Sequence, residues 1–440
     1  MDVRKPSAMD ERTGRELAVQ DLPGDKYWRQ RGASIENMPE HKVSPTRVAT
    51  IEGAQAVVTP VPVLDFSRQY AEIGPEMLAA VEKVFATQHY ILGEPVAEFE
   101  KAAAARCGVK HAIGCASGTD ALWLAMAAAG IGEGDAVVTT PFTFFATVSS
   151  ILRAGAKPVL ADIDPVSFNL DAGLVESVLM SEVHPRMRAV LPVHLYGQTV
   201  EWDRFEALRK RFGVLMIEDA AQAFGAEWDG RRAGALGDAA AFSFYPTKNL
   251  SACGDAGMVT TASDELAERA RMLRTHGMRR RYYHDEIGWN SRLDSVQAAV
   301  LLVKLAYIDK WNEQRRQLAA NYDRLFQAAG LAEAEKVYPT QGVVLPASNP
   351  RAKHVFHQYV IRVQRRDALR EFLSARKIGS EIYYPVPLHE QECLQFLGYK
   401  RGDFPESERA SLEVLALPIY PELRADEQEI VVAAIGEFLG

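Results

Sequence analysis

Three short segments carry side chains whose types and spacing can do chemistry. In residues 243–250, SFYPTKNL, Lys248 follows the apolar run AAAF and enters the Gly-containing loop SACGDAG. In GVLMIEDAAQAFG an apolar run halts at Glu218 and Asp219, and Gln222 follows. A carboxylate at the carboxyl end of a buried strand is costly to desolvate unless a cation faces it, so something positive should stand opposite Asp219. In residues 117–122, SGTDAL, small residues join a strand to a helical run. Backbone N–H groups and the helix dipole make such a turn a place for a phosphate. Each segment alone has an ordinary reading. Lys248 is then a surface lysine, Asp219 a helix cap or first-turn acid, and the SGTDAL turn a helix start capped by Thr119 or Asp120.

Taken together, the three ask for one ligand with a phosphate, a protonatable ring nitrogen and an aldehyde that a lysine can condense with. Pyridoxal phosphate has all three, and a lysine Schiff base with an acid for the pyridinium nitrogen is its recurrent protein setting.

The elements that must position these groups follow from periodicity. Between about 108 and 261 the chain alternates short β-rich runs with helical stretches: HAIGCAS, AVVTTP, KPVLADI, RAVLPVHL, GVLMIED, AAAFSF and GMVTT. Near-continuous apolar strands separated by helices predict an α/β fold, with a mostly parallel seven-stranded sheet between helices and ligands at the strands' carboxyl ends. Residues 75–86 have helical spacing, and 291–311 and 312–329 read as long helices. A smaller C-terminal α+β unit should follow, with HQYVIRV as a strand and RRDALREFLSARK as a helix. The expected organisation is a flexible extension over 1–57, a large cofactor-binding domain over 58–310 and a small domain over 311–440.

Composition excludes other classes. The 440 residues are 48% hydrophobic and 25% charged, the proportions of a globular protein. A net charge of −8 is no footprint for nucleic acid or anionic lipid. No apolar run suits a secretory signal or a membrane span. The four cysteines form no CxxC pair, so a reducing cytoplasm is the expected location. HEQEC at His389 lacks the second histidine of a helical zinc site, and no metal is expected.

The ordered motifs YILGEPVAEFE, SGTDAL, PFTFFAT, LADID, PVHLYGQ, EDAAQAFGA, FSFYPTKNL, GDAGMV, GWNSRLDSVQAA, YYPVPLH and LPIYPEL resemble the fold-type I sugar aminotransferases of the DegT/DnrJ/StrS group, over residues 62–423. The resemblance implies that Lys248 forms the Schiff base and that Asp219 keeps the ring nitrogen protonated. It places Gln222 beside the cofactor's phenolic oxygen, and Gly118, Thr119 and Ser243 around its phosphate. Phe144 stacks on the ring, unless it is a core residue or Phe145 takes its place. Asn290 in GWNSR would reach the cofactor of a neighbouring subunit, which implies a homodimer with shared sites; otherwise it is a loop residue. The loop at 254–257 reads GDAG, where many relatives have a glutamate and a second glycine.

The implied reaction passes an amino group from an amino acid, glutamate, through pyridoxamine phosphate to a keto group of a nucleotide-linked sugar. The pair Tyr282 and Tyr283 ahead of GWNSR resembles relatives that aminate the 3-position. Candidate substrate contacts are Arg279, Arg280 and Arg281, which otherwise form a solvated face, together with His194, otherwise a core histidine, and His389. Two other functions compete. A sugar 3-dehydratase of this kind replaces the lysine with histidine, and Lys248 argues against it. A non-catalytic regulator need not keep Asp219, Gln222, Ser243 and Lys248 intact.

Overall fold

All seven apolar runs expected as strands form one sheet in the computed structural model, which describes residues 60–181 and 186–440. The extension expected over 1–57 lies outside the described residues. The strands are β1 (His111–Cys115), β2 (Ala136–Thr139), β3 (Lys157–Leu160), β4 (Met187–Val190), β5 (Leu215–Asp219), β6 (Ala239–Ser243) and β7 (Gly257–Thr261). Their order is β1-β7-β6-β5-β4-β2-β3. From β3 to β6 every neighbouring pair is parallel, and β7 runs antiparallel between β6 and β1. The start of β7 therefore lies beside the carboxyl ends of β1 and β6, with Gly257 opposite both Cys115 and Ser243.

The helices around it are α1 (Phe66–Thr87), α2 (Glu94–Cys107), α3 (Gly118–Ala128), α4 (Ala146–Arg153), α5 (Ala172–Met180), α6 (Trp202–Phe212), α7 (Asp264–Leu273) and α8 (Ser295–Leu305). Side chains alternate across a strand, so each strand feeds two cores. Ala240, Phe242 and Met258 pack with Phe99 of α2 and Leu301 of α8. Ile217, Ala241 and Val259 face the other way, onto Leu124 of α3 and Ala267 of α7. Helix α1 begins at Phe66, ahead of the expected Pro75, because Asp65 accepts from Ser67 N at 2.9 Å and caps it there.

The two long helices expected around residue 311 break earlier. Helix α9 (Ile308–Ala328) runs unbroken through residues 310 and 311. Its first turn puts Ile308 and Trp311 in the core shared with α8, while Ala319, Tyr322 and Phe326 belong to a C-terminal core. That core covers an antiparallel sheet of β8 (Val343–Val344), β9 (Tyr359–Val363) and β10 (Val414–Leu417), with α10 (Arg366–Ala375) and α12 (Ala425–Leu439). At the start of α11 (Pro405–Glu413), Glu406 N and Ser407 N donate to Asp162, just past β3, at 2.8 and 3.0 Å. Among the described residues no helix is long and apolar enough to cross a membrane.

Candidate active site

Where β1 runs out, Ser117 adopts an extended backbone and its Oγ accepts from Asp120 N at 3.1 Å. Ser117, rather than Thr119 or Asp120, thus caps α3. The first N–H groups of the helix, at Gly118 and Thr119, have no acceptor within it. Little space is left around them. A Cβ on Gly118 would lie 2.5 Å from Ser243 Cβ, and one on Gly257 would lie 2.2 Å from the Ser117 carbonyl oxygen. The turn is anchored from a distant segment as well. Ser291 Oγ donates to Asp120 Oδ2 at 2.8 Å and accepts from Ala116 N at 3.2 Å. Arg153 pairs with Asp120 and stands over the rings of Trp123 and Trp289, 4.7 and 4.4 Å from their centres.

Asp219 closes β5 and is buried. Thr147 Oγ1 donates to its Oδ2 at 2.7 Å, and Ala221 N donates to Oδ1 at 3.2 Å. Burial raises its carboxyl pKa; these donors and the Lys248 ammonium act against that rise. Lys248 follows β6 in a turn closed by its own N–H on the Tyr245 carbonyl. Burial pushes its amine down to about 8, with the Asp219 carboxylate pulling the other way. Among the described residues Lys248 Nζ has no hydrogen-bond acceptor. A cavity of about 20 Å³ on one flank of the lysine is lined by Asp65, Asn249, Ser251, Arg315 and Glu422. An amine that changes charge near neutral pH, set against a buried acid, can move protons.

Gln222 is held from two sides. Its Oε1 accepts from Tyr196 N at 2.7 Å and its Nε2 donates to Tyr384 Oη at 3.1 Å. Tyr384, from YYPVPLH, lies 6.3 Å from the ring of Phe144. Phe142, the first aromatic of PFTFFAT, is fully buried, whereas Phe144 is 60% exposed and Phe145 39%. Phe144 is therefore the ring with the most open surface beside this cluster.

The structure brings Lys248, Asp219, Gln222, Ser243, Gly118, Thr119 and Phe144 to the carboxyl edge of the sheet, and leaves the remaining candidates elsewhere. His194 is fully buried, with Nε2 3.0 Å from Glu218 and Nδ1 accepting from Val200 N at 3.3 Å. Glu218 precedes Asp219 on β5 and so points to the opposite face, which takes His194 away from the open side. Glu218 also accepts from Gly234 N, Leu236 N and Gly237 N, making this pair a structural anchor.

His389 is likewise buried, its Nε2 3.0 Å from Glu408. His389, Glu390 and Glu408 offer ligand atoms within 4.8 Å of one another, but Gly402 N already donates to Glu408 at 2.7 Å. Arg279, Arg280 and Arg281 sit on an exposed hairpin. Arg279 pairs with Glu268 and Asp285, while Arg280 and Arg281 cover Tyr283 and Tyr282. Asn290 is exposed, with Oδ1 accepting from Arg292 at 2.7 Å.

The residues at the sheet edge fit pyridoxal phosphate. The Gly118–Ser243 approach leaves a cradle that a single Cβ would fill, burial raises the Asp219 carboxyl in spite of its donors and Lys248, and Phe144 offers an open ring face.

The comparisons agree with this chemistry. The model of the DegT/DnrJ/EryC1/StrS aminotransferase family matches residues 71–436. The chain is 48% identical to a pleiotropic regulatory protein of Geobacillus stearothermophilus, over 86% of this chain and 98% of that protein. It is 42% identical to the dTDP-3-amino-3,4,6-trideoxy-alpha-D-glucose transaminase of Streptomyces venezuelae, over 86% of this chain and 96% of the relative. Among solved structures, S. venezuelae DesV in complex with a ketimine intermediate superposes with a TM-score of 0.81 at 42% identity, covering 86% of this chain and 98% of that one. The chain belongs to the DegT/DnrJ/EryC1/StrS aminotransferase family and is a pyridoxal-phosphate-dependent aminotransferase.

Proposed function

We propose that the protein transfers an amino group from glutamate to the 3-keto group of a nucleotide-linked sugar. The observation that carries this reading is that Lys248, just past the end of β6, and the buried Asp219, at the end of the neighbouring β5, meet at the carboxyl edge of the sheet together with the start of α3. The Streptomyces transaminase is named for a dTDP-3-amino sugar, the kind of product that amination of a nucleotide-linked 3-keto sugar gives, and this supports the choice of acceptor and position.

In this reading the N–H groups of Gly118 and Thr119 and the Ser243 hydroxyl bind the cofactor's phosphate. Asp219 holds a proton on the pyridine nitrogen, and Thr147 orients its carboxylate. The chemistry supplied by the bound cofactor is withdrawal of electrons from the carbon next to the amino nitrogen. Gln222, fixed by Tyr196 and Tyr384, presents a polar group beside the phenolic oxygen, and Phe144 covers the ring. Lys248 Nζ binds the cofactor at rest. Once free, it takes the proton from the donor's Cα and delivers it to the cofactor's C4′, then reverses the transfer on the acceptor.

The working unit in this reading is a homodimer. Phe66, Tyr70, Leu78 and Phe85 leave α1 with an exposed apolar stripe. Phe85 meets Tyr90 with ring centres 5.9 Å apart, and the neighbouring Ile91 bridges to Asp294, close in sequence to Asn290. Ile287 and Trp289 add exposed apolar surface in the same loop. A second copy covering this surface would receive Asn290 at its cofactor phosphate.

Borohydride reduction followed by peptide mass spectrometry tests the cofactor lysine, and the label is expected on Lys248. Incubation with glutamate and a panel of 3-keto and 4-keto nucleotide sugars, with products identified by NMR, tests the reaction. Amination of 4-keto sugars alone would overturn the assigned position. The regulatory name of the Geobacillus relative makes a second reading specific: such a protein would retain cofactor yet aminate no acceptor. Mixing Lys248→Ala with Asn290→Ala subunits should restore partial activity if sites are shared.

A further inference from the structure

The loop that carries Asn290 is fastened to its own chain by the residues on either side of that asparagine. Its backbone runs antiparallel to the segment after α7. Trp289 N donates to the Leu273 carbonyl at 2.6 Å, the Trp289 carbonyl accepts from His276 N at 2.7 Å, and Ser291 N donates to the Arg274 carbonyl at 2.9 Å. The bridge between Thr275 and Asn290 makes this stretch extended, so Trp289 and Ser291 project to one side and Asn290 to the other. The inward pair meets the start of α3. Ser291 is buried and bonds both Asp120 and Ala116 N, and the Trp289 ring lies 5.9 Å from that of Trp123. Asn290 is exposed on the outward side.

Arg153 ties the two parts together. It ends α4, the helix whose first turn places Thr147 on Asp219. Its guanidinium pairs with Asp120 in the first turn of α3 and covers the rings of Trp123 at 4.7 Å and Trp289 at 4.4 Å. Two of these three contacts are on α3 and the third is on the loop. A planar guanidinium can stack on rings while its N–H groups pair with a carboxylate, so one side chain holds the loop and the helix start in a fixed relation.

We propose that Arg153 is a positioning residue that acts across the dimer: by locking the loop of residues 289–291 to α3, it sets the Asn290 side chain for the phosphate bound in the partner subunit. This role rests on the shared site proposed above. Within its own chain the start of α3 has other supports, the Ser117 cap and the close approach of Gly118 to Ser243. Loss of Arg153 is therefore felt less in its own site than in the one next door.

The test uses full-length heterodimers, isolated through two affinity tags, in which one subunit carries Lys248→Ala and the other Asn290→Ala. One complete site remains, with its lysine from the Asn290→Ala subunit and its asparagine from the Lys248→Ala subunit. Borohydride trapping on Lys248 at increasing pyridoxal phosphate, read by peptide mass spectrometry, gives the cofactor affinity of that site without turnover. Arg153→Met added to the subunit that lends Asn290 should weaken cofactor binding about tenfold. Added to the subunit that bears Lys248, whose own loop already holds alanine at 290, it should leave the affinity close to that of the parent heterodimer. Trp289→Leu keeps the pair with Asp120 and should reproduce the loss from the lending subunit; it replaces Arg153→Met if that variant does not assemble. Equal or greater weakening from the Lys248-bearing subunit would make Arg153 a support of its own site, and no weakening from the lending subunit would reduce it to packing. If the parent heterodimer binds cofactor no better than the Asn290→Ala homodimer, the shared site itself fails, and that outcome is distinct.

Discussion

Gly118 and Ser243, far apart in sequence, approach until a Cβ on the glycine would stand 2.5 Å from the serine's own Cβ. Ser243 ends a central strand and cannot retreat without disturbing its pairing with Gly257. Gly118→Ala should therefore push the helix start outward, costing about 1–3 kcal/mol of stability. Cofactor affinity should fall more steeply than stability, by tenfold or more. Absorbance titration of the apoprotein against thermal unfolding separates the two effects.

Thr147 donates to Asp219 Oδ2 at 2.7 Å within the buried site. Removing that donor with Thr147→Val leaves the carboxylate oxygen short of a partner and raises its pKa further. A loss of about 2 kcal/mol in transition-state stabilisation is expected, near thirtyfold in kcat. The cofactor's absorbance should titrate at altered pH in the variant, a change that a loosely packed but intact site would not produce.

The depressed Lys248 amine makes apoprotein stability depend on pH in a definite direction. Its pKa is about 8 when folded against an ordinary value of 10.5. Between those values the unfolded chain binds a proton that the folded chain does not, so the lysine's contribution to stability rises with pH across this window. Below pH 8 both states are protonated, and the buried charge costs most. Apo Lys248→Met should thus be more stable than wild type at pH 7, by on the order of 2 kcal/mol once partial solvent screening is allowed for. The advantage should shrink as pH rises toward 10. Urea unfolding at several pH values measures it, and a growing advantage would contradict the sign.

Gln222 bonds a backbone N–H on one side and a phenol on the other. Tyr384→Phe removes only the phenol and should cost about 1 kcal/mol, with a modest drop in kcat. Gln222→Leu also strands the buried Tyr196 N–H and should cost about 1–3 kcal/mol. Reversal of that order in thermal unfolding would mean that the Tyr196 bond is not the one that holds the glutamine.

Strands were legible because apolar runs ending in Asp219 or Ser243 announce both a buried strand and the carboxyl end where it stops. The SGTDAL turn was legible because few residue types start a helix in so little space. Partners that arrive through tertiary packing were not. Nothing in PFTFFATV singles out Thr147, whose role depends on α4 bringing it beneath β5. His194 misled because PVHLYGQ borders the right strand, while strand alternation hands its side chain to Glu218 on the wrong face. His389 misled in a similar way, since its Pro-punctuated segment is at the site's edge but its ring turns inward to Glu408. The boundary drawn at residue 310 overlooked that one amphipathic helix can serve two cores.

That helix bears on protein engineering. Ile308 and Trp311 near one end of α9 and Tyr322 and Phe326 near the other are buried in different cores, and between them Asn312 Oδ1 accepts from the side chain of Asn249, next to Lys248, at 2.8 Å and Arg315 donates to the Ile419 carbonyl at 2.9 Å. A chimera that exchanges the C-terminal portion with that of a relative should keep α9 from a single parent, placing its crossover in the loop after Ala329. A junction inside the helix would mismatch two interiors at once and disturb the loop that carries Lys248.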